Sequence, residues 1–388
     1  MNLSTDRILT THVGSLPRPD DLFEMMLARM DGKHVDEAVY NARLRKAVAD
    51  SVKQQTAAGL DVVGDGEMGK PSFITYAAQR LGGLERREGA RPSPFSNTRE
   101  TRDFPEFYQS AMAQQESARR RRALMVCTGP ITYKGQQQLR TDLDLLKSAL
   151  KGVTATEAFV PAIAPSNVET TTPNEYYPTA ESYVFAIAQA MREEYLAIVN
   201  AGFLLQIDDP FLVTYYIMRP ELSVADCRKW AELRVEALNA AIEGIPSDRI
   251  RFHTCYSVNM GPRVHDMQLR DIIDIILKVR AGGYSFEAAN PRHEHELEEW
   301  RRVKLPHDKV LLPGVITQST VLVEHPELVA QRIERFAGVV GRERVIASAD
   351  CGFASFAGSN EMHPSIVWAK FAALVEGARI ASKRLWAQ

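Results

Sequence analysis

His253 and Cys255 lie two residues apart in the run Ile250-Arg251-Phe252-His253-Thr254-Cys255. That run reads as a β-strand, so both side chains share one face. Glu287 follows 32 residues after Cys255, near the end of the next apolar run, and Cys351 lies 64 residues beyond, just past another. Two thiolates, an imidazole and a carboxylate suit a tetrahedral Zn2+ site. Spacing alone leaves a second reading open, in which the cysteines are small buried hydrophobes and His253 is a satisfied core histidine. A compact CxxC or HExxH is absent from this set. Ligands on separate strands make a site only where a fold gathers the strand ends. Such a centre ionises an incoming thiol at neutral pH, and a labile ligand, here Glu287, gives way to it. The chemistry implied is alkyl transfer to sulfur.

The elements that must hold these residues repeat along the chain: an amphipathic helix, a glycine stop, then a short apolar strand running into polar or acidic residues. Val184, Ile187, Met191, Tyr195 and Ile198 form one helix face, Gly202 stops it, and Phe203-Leu204-Leu205-Gln206-Ile207 leads into Asp208-Asp209-Pro210. Ser223 and Asp226 carry a capping-box signature for the next helix. An Ile- and Leu-rich helix is expected over 269–279, and another from Pro326 to a stop at Gly341, before a strand at Arg344-Val345-Ile346-Ala347. Similar apolar runs around Ile8, Val62, Leu124, Val160 and Leu311 bring the candidate strands to nine, one more than a (β/α)8 barrel needs. Alternation of strands and helices predicts a parallel sheet. Polar strand ends favour a TIM barrel over an open doubly wound sheet, and no GxGxxG follows the first strand.

The expected fold class is therefore α/β, a (β/α)8 barrel as one catalytic domain over 1–388, with a polar insertion at 85–122 after the second strand unit. This Arg-, Pro-, Ser- and Gln-rich stretch reads as a solvated loop or a lid. The chain has 388 residues, 47 Lys+Arg against 49 Asp+Glu, and a net charge of −2. Near-neutral balance argues against nucleic acid as a partner. Apolar runs fall short of a membrane span, the start lacks a secretory layout, and four cysteines are too few for a disulfide scaffold, so a cytoplasmic enzyme is expected.

His253-Thr254-Cys255, Glu287 and Asp350-Cys351-Gly352 resemble the zinc motif of the cobalamin-independent methionine synthase family, in its C-terminal catalytic barrel. Gly14-Ser15-Leu16-Pro17, Gly66-Glu67, Thr128-Gly129-Pro130 and Gln206-Ile207-Asp208-Asp209-Pro210 are similar to further family motifs, in the family's order. The chain looks like a short, single-barrel member, related to epoxyalkane:coenzyme M transferase and to corrinoid-linked short synthases. The resemblance implies zinc ligands His253, Cys255, Glu287 and Cys351. It implies that Asp208 and Glu67 bind the ammonium of homocysteine, with Ser15 on its carboxylate. The implied partners are a small thiol acceptor and a methyl donor, whether a methylated folate, a methylated corrinoid protein or a smaller compound.

Two segments depart from the family. The late-strand acid and histidine are absent from Gly314-Val315-Ile316-Thr317-Gln318-Ser319, and the stretch after Thr-Gly-Pro reads Ile131-Thr132-Tyr133-Lys134-Gly135 without tryptophan. An epoxide-opening thiol transferase is the second reading, with Arg18, Lys70 and Arg292 as cations for a sulfonate-bearing thiol. A non-catalytic zinc protein is the third. His325 before Pro326 reads as helix entry. His293-Glu294-His295 reads as a polar first turn, with a second metal or substrate clamp as its alternative.

Overall fold

The computed structural model describes residues 1–90, 96–110, 123–256, 261–355 and 362–387. Ten strands are described: β1 (Leu9–Thr10), β2 (Val62–Gly64), β3 (Leu81–Ala90), β4 (Ala123–Tyr133), β5 (Glu157–Ile163), β6 (Leu204–Asp208), β7 (Ile250–His253), β8 (Gly283–Phe286), β9 (Val310–Ile316) and β10 (Ile346–Ala349). Eight form one all-parallel sheet in the order β1-β10-β9-β8-β7-β6-β5-β2. Its two end strands meet: Asp61 N–H donates to Thr10 O and Leu16 N–H to Gly66 O, each at 3.1 Å. The result is the (β/α)8 barrel, and its strands are buried on both faces, which is why they read as apolar runs rather than alternating ones.

The surplus ninth strand is the one around Leu124. It belongs to β4, which pairs antiparallel with β3 in a two-stranded sheet outside the barrel. The expected insertion thus opens on a hairpin strand at Leu81. Glu194, buried on the helix Ala180–Asn200, anchors that hairpin by accepting hydrogen bonds from Tyr133 Oη at 2.7 Å and Tyr76 Oη at 3.0 Å, while pairing with Arg80 at 3.1 Å. A buried charge held this way has partners for both its oxygens, which burial demands. Within the expected insertion, the Arg-Pro-Ser-Pro run at 91–94 and the basic run at 119–122 lie outside the described residues.

The helix over Ala180–Asn200 buries Val184, Ile187, Met191, Tyr195 and Ile198, the face its periodicity marks, and Ser223 and Asp226 form the expected capping box. His325 caps the helix Pro326–Val340 through Nδ1, which accepts from Glu327 N–H at 3.2 Å. The expected helix over 269–279 is not continuous: a 3-10 turn at Leu269–Asp271 is followed by a single α-turn, Ile273–Ile276. Ile272, Ile273, Ile275 and Ile276 are all buried, and four β-branched residues gain little from helix while packing on every side. The last strand starts two residues later than its apolar run suggested. Its end is crowded: a Cβ on Gly314 of β9 would sit 2.6 Å from Asp350 Cα, so only glycine fits beside this turn. No helix among the described residues is long and apolar enough to cross a membrane.

Candidate functional site

Parallel strands in a barrel deliver their C-terminal ends to one face. Here that face carries Ser15 after β1, Glu67 after β2, Asp208 closing β6, His253 closing β7, Glu287 after β8 and Cys351 after β10. A cavity opens among them, lined by Ser15, Glu67, Asp208, His253, Cys255 and Cys351, with Phe73 and Pro210 as apolar wall. Six of the seven residues singled out by sequence therefore meet in one cavity.

Two-residue periodicity explains the floor. Arg251 and His253 both turn inward from β7, and Arg251 crosses the barrel to donate to Thr11 Oγ1 at 3.0 Å and His12 O at 2.7 Å. Its guanidinium sits over Phe159. Above it, His253 Nδ1 lies 3.0 Å from Ser285 Oγ, whereas Nε2 is buried without a hydrogen-bond partner. Burial, reinforced by the Arg251 charge, pushes this imidazole down to about 3, so the ring is neutral. Cys255 Sγ and Cys351 Sγ are 3.2 Å apart. The hydrogen bond from Cys255 and burial hold the Cys351 thiol well above its ordinary range.

Among the described residues, His253, Cys255 and Cys351 are the group whose donor atoms all lie within 4.8 Å of one another. A neutral imidazole with an orphaned buried nitrogen, facing two soft sulfurs, is a donor set that would suit a zinc ion. A divalent cation there would give Nε2 a partner and let both thiols ionise. The residues fit the metal.

Glu287 is placed differently. It is buried beside the group but outside it, with Oε1 accepting from Tyr256 N–H at 2.8 Å and Oε2 from Arg263 Nη2 and Asn290 Nδ2, both at 2.7 Å. Asp350 Oδ1 accepts from the N–H groups of Ala288 and Ala289 at 2.7 and 2.8 Å, which sets the path of the loop after Glu287.

The opposite wall is acidic. Asp208 accepts from Gln206 Nε2 at 2.7 Å. Burial and the charge of Glu67 hold the Asp208 carboxyl well above the usual range. Burial raises Glu67 too, against the pull of Lys70 and Arg18. Glu67 also has φ +55, a left-handed backbone costly for a non-glycine residue. Two desolvated carboxyls lining one pocket would suit a cationic amine. The cations available to a sulfonate are engaged elsewhere: Arg18 donates to the carbonyls of Ala354, Glu67 and Lys70, while Lys70 lies 2.5 Å from Pro161 O and 3.5 Å from Glu67. Arg292 reaches Val264 O at 3.3 Å.

Sequence reasoning missed three contributors. Gln206 shares the face of Asp208 at two-residue spacing, the same signal that joined His253 to Cys255. Gly352 leaves room for Ser15: a Cβ there would meet Ser15 Oγ at 2.0 Å and force that hydroxyl to turn away, a contact no local pattern reveals. Arg263 lies in a loop without periodicity.

The histidine pair after β8 divides. His293 is buried between Glu296 (Nδ1 to Oε2, 2.8 Å) and Asp266 (Nε2 to Oδ2, 3.1 Å), stacked on Tyr256 at 3.8 Å. With both nitrogens facing carboxylates, the two hydrogen bonds outweigh burial and raise this imidazole to about 9. A folded value above the unfolded 6.5 means the stabilisation is complete below about pH 6.5 and is lost as pH rises through about 9. The melting temperature is expected to fall by roughly 2 °C or more between pH 7 and 9.5, with a shallower slope in His293→Gln; equal slopes in thermal melts across that range would refute the assignment.

The family model of the cobalamin-independent synthase catalytic domain matches residues 8–164 and 163–373. The methionine synthase of Thermococcus kodakarensis is 24% identical over 379 residues, covering 97% of this chain and 94% of its own. That of Saccharolobus islandicus is 26% identical over 392 residues, covering 97% and 95%. Among solved structures, a B12-independent methionine synthase from Shewanella sp. in complex with selenomethionine superposes with a TM-score of 0.72 at 19% identity, over 98% of this chain and all of the other.

Proposed function

From the premise that the chain belongs to the cobalamin-independent synthase catalytic-domain family, we propose that it is a zinc-dependent methyltransferase acting on the thiol of homocysteine. The observation that carries this reading is the unpartnered, buried Nε2 of His253 grouped with two sulfurs 3.2 Å apart, in a cavity whose other wall is a carboxyl pair. Metal donors and an amine receptor in one cavity suit an amino acid with a thiol. Its relatives named methionine synthase agree with that substrate.

His253, Cys255 and Cys351 would hold the ion, with Glu287 as a fourth, displaceable ligand. Zn2+ there supplies the charge that keeps an acceptor thiol deprotonated at neutral pH. Asp208 and Glu67 bind the acceptor ammonium, and Ser15 binds its carboxylate, directing the sulfur toward His253, Cys255 and Cys351. Phe73 and Pro210 keep water from the reacting end. Holding acceptor and donor in line converts a two-molecule encounter into an oriented one, which supplies much of the rate. The donor is a methylated folate or another small methylated compound; the likeness to B12-independent proteins lends no support to a corrinoid partner.

Titration of the Co2+-substituted protein with homocysteine tests the reading. A new sulfur-to-metal charge-transfer band at one equivalent is expected. A spectrum unchanged by homocysteine would leave a closed, non-catalytic metal site instead.

A further inference from the structure

The carboxylate of Glu287 has a second cationic claimant. Arg263 Nη2 donates to Oε2 at 2.7 Å, and the pair is buried, with Arg263 5% and Glu287 3% exposed. Arg263 is itself clamped. Its Nε donates to Asp266 Oδ2 at 3.0 Å, and its backbone N–H to Glu100 Oε2 at 3.0 Å. Glu100, fully buried, also accepts from His265 N–H at 2.8 Å. It comes from the helix Arg99–Asp103, within the segment inserted between the hairpin strands. Arg99 fastens that helix to the barrel by donating to Tyr216 O at 3.1 Å and Leu222 O at 2.5 Å. A continuous set of contacts therefore runs from the inserted segment through Glu100 and Arg263 to Glu287.

We infer that Arg263 is a positioning residue that competes with the metal for Glu287, and that Glu100 in the inserted segment sets the strength of this competition. The inference rests on the reading that His253, Cys255 and Cys351 hold zinc. A buried guanidinium–carboxylate hydrogen bond is among the stronger ones in proteins. Retaining Glu287 on Arg263 keeps the fourth position of the His-Cys-Cys group accessible to a thiol. The inserted segment then has a role distinct from covering the barrel mouth: it tunes the readiness of the site.

The test is zinc affinity of the full-length protein, measured by competition with a chromophoric chelator, and homocysteine affinity of the zinc-loaded form. Arg263→Gln removes the cationic one of the three donors that hold Glu287, leaving the neutral Tyr256 N–H and Asn290 Nδ2, and so makes the carboxylate easier for the metal to draw away. Zinc is expected to bind about tenfold tighter without thiol, and homocysteine about tenfold weaker. Arg263→Lys restores both toward wild type. Glu100→Gln moves both in the same directions by a smaller factor, and it serves if Arg263→Gln fails to fold by circular dichroism. Adding Glu287→Gln to Arg263→Gln cancels the changes, so that the double variant matches Glu287→Gln alone. Unchanged or weakened zinc binding in Arg263→Gln, or tightening that persists in the double variant, overturns the inference. A wild-type protein that takes up no stoichiometric zinc would instead overturn the reading of the site, and this inference with it.

Discussion

Cys351→Ala is expected to lose zinc and methyl transfer together. The group that would hold the ion has three members with donor atoms within 4.8 Å of one another, so each carries a large share of the affinity. Zinc binding worth roughly 10–16 kcal/mol over four ligands averages about 3 kcal/mol per ligand, or about a hundredfold in affinity. Alanine also leaves Cys255 without its neighbour at 3.2 Å and opens the cavity where sulfur stood. The fold should survive, because Cys351 lies beyond β10 and outside the barrel ladder. Metal content by atomic absorption, alongside circular dichroism, decides the matter. A folded Cys351→Ala protein that keeps one tightly held equivalent of zinc would remove Cys351 from the ligand set. His253→Ala should behave alike, since its Nε2 is the nitrogen of the group.

Asp208→Asn should separate acceptor binding from metal binding. The side chain faces the cavity, is buried, and accepts one hydrogen bond from Gln206 while Glu67 stands nearby. Removing one charged partner from a buried ion pair costs on the order of 2–5 kcal/mol. Homocysteine should therefore bind on the order of a hundredfold more weakly. Zinc content should stay at one equivalent, because Asp208 is not in the donor group. Calorimetric titration with homocysteine reads the first quantity and metal analysis the second. Unchanged homocysteine affinity would reject the ammonium-binding role, whereas lost zinc would mean that Asp208 supports the metal site rather than the amine.

Much of this architecture is local and so is written in short-range pattern. Two-residue spacing put His253 and Cys255 on one face, and glycine stops with capping residues marked where helices end and begin. Chemistry-bearing residues just past apolar runs were legible as strand ends, and a parallel barrel gathers strand ends at one mouth. Those two facts together made His253, Cys255, Glu287 and Cys351 recognisable as neighbours, whereas Ser15, Glu67 and Asp208 were added by the resemblance to the family's motifs.

Other features depend on pairing between distant segments, for which the sequence carries no local signature. The apolar run at Leu124 looks like any barrel strand; only its antiparallel register with Leu81–Ala90 removes it from the barrel. The Ile-rich stretch at 269–279 has helical spacing, yet burial on every side leaves backbone propensity with little say. Glu287 follows a strand end, but which cation claims its carboxylate depends on Arg263, and Arg263 is held by Glu100 from 163 residues away. Periodicity reports which way a side chain leaves its own backbone. What it meets there is set by loops whose course follows from long-range hydrogen bonds and close packing, and these exist only once the chain has closed on itself.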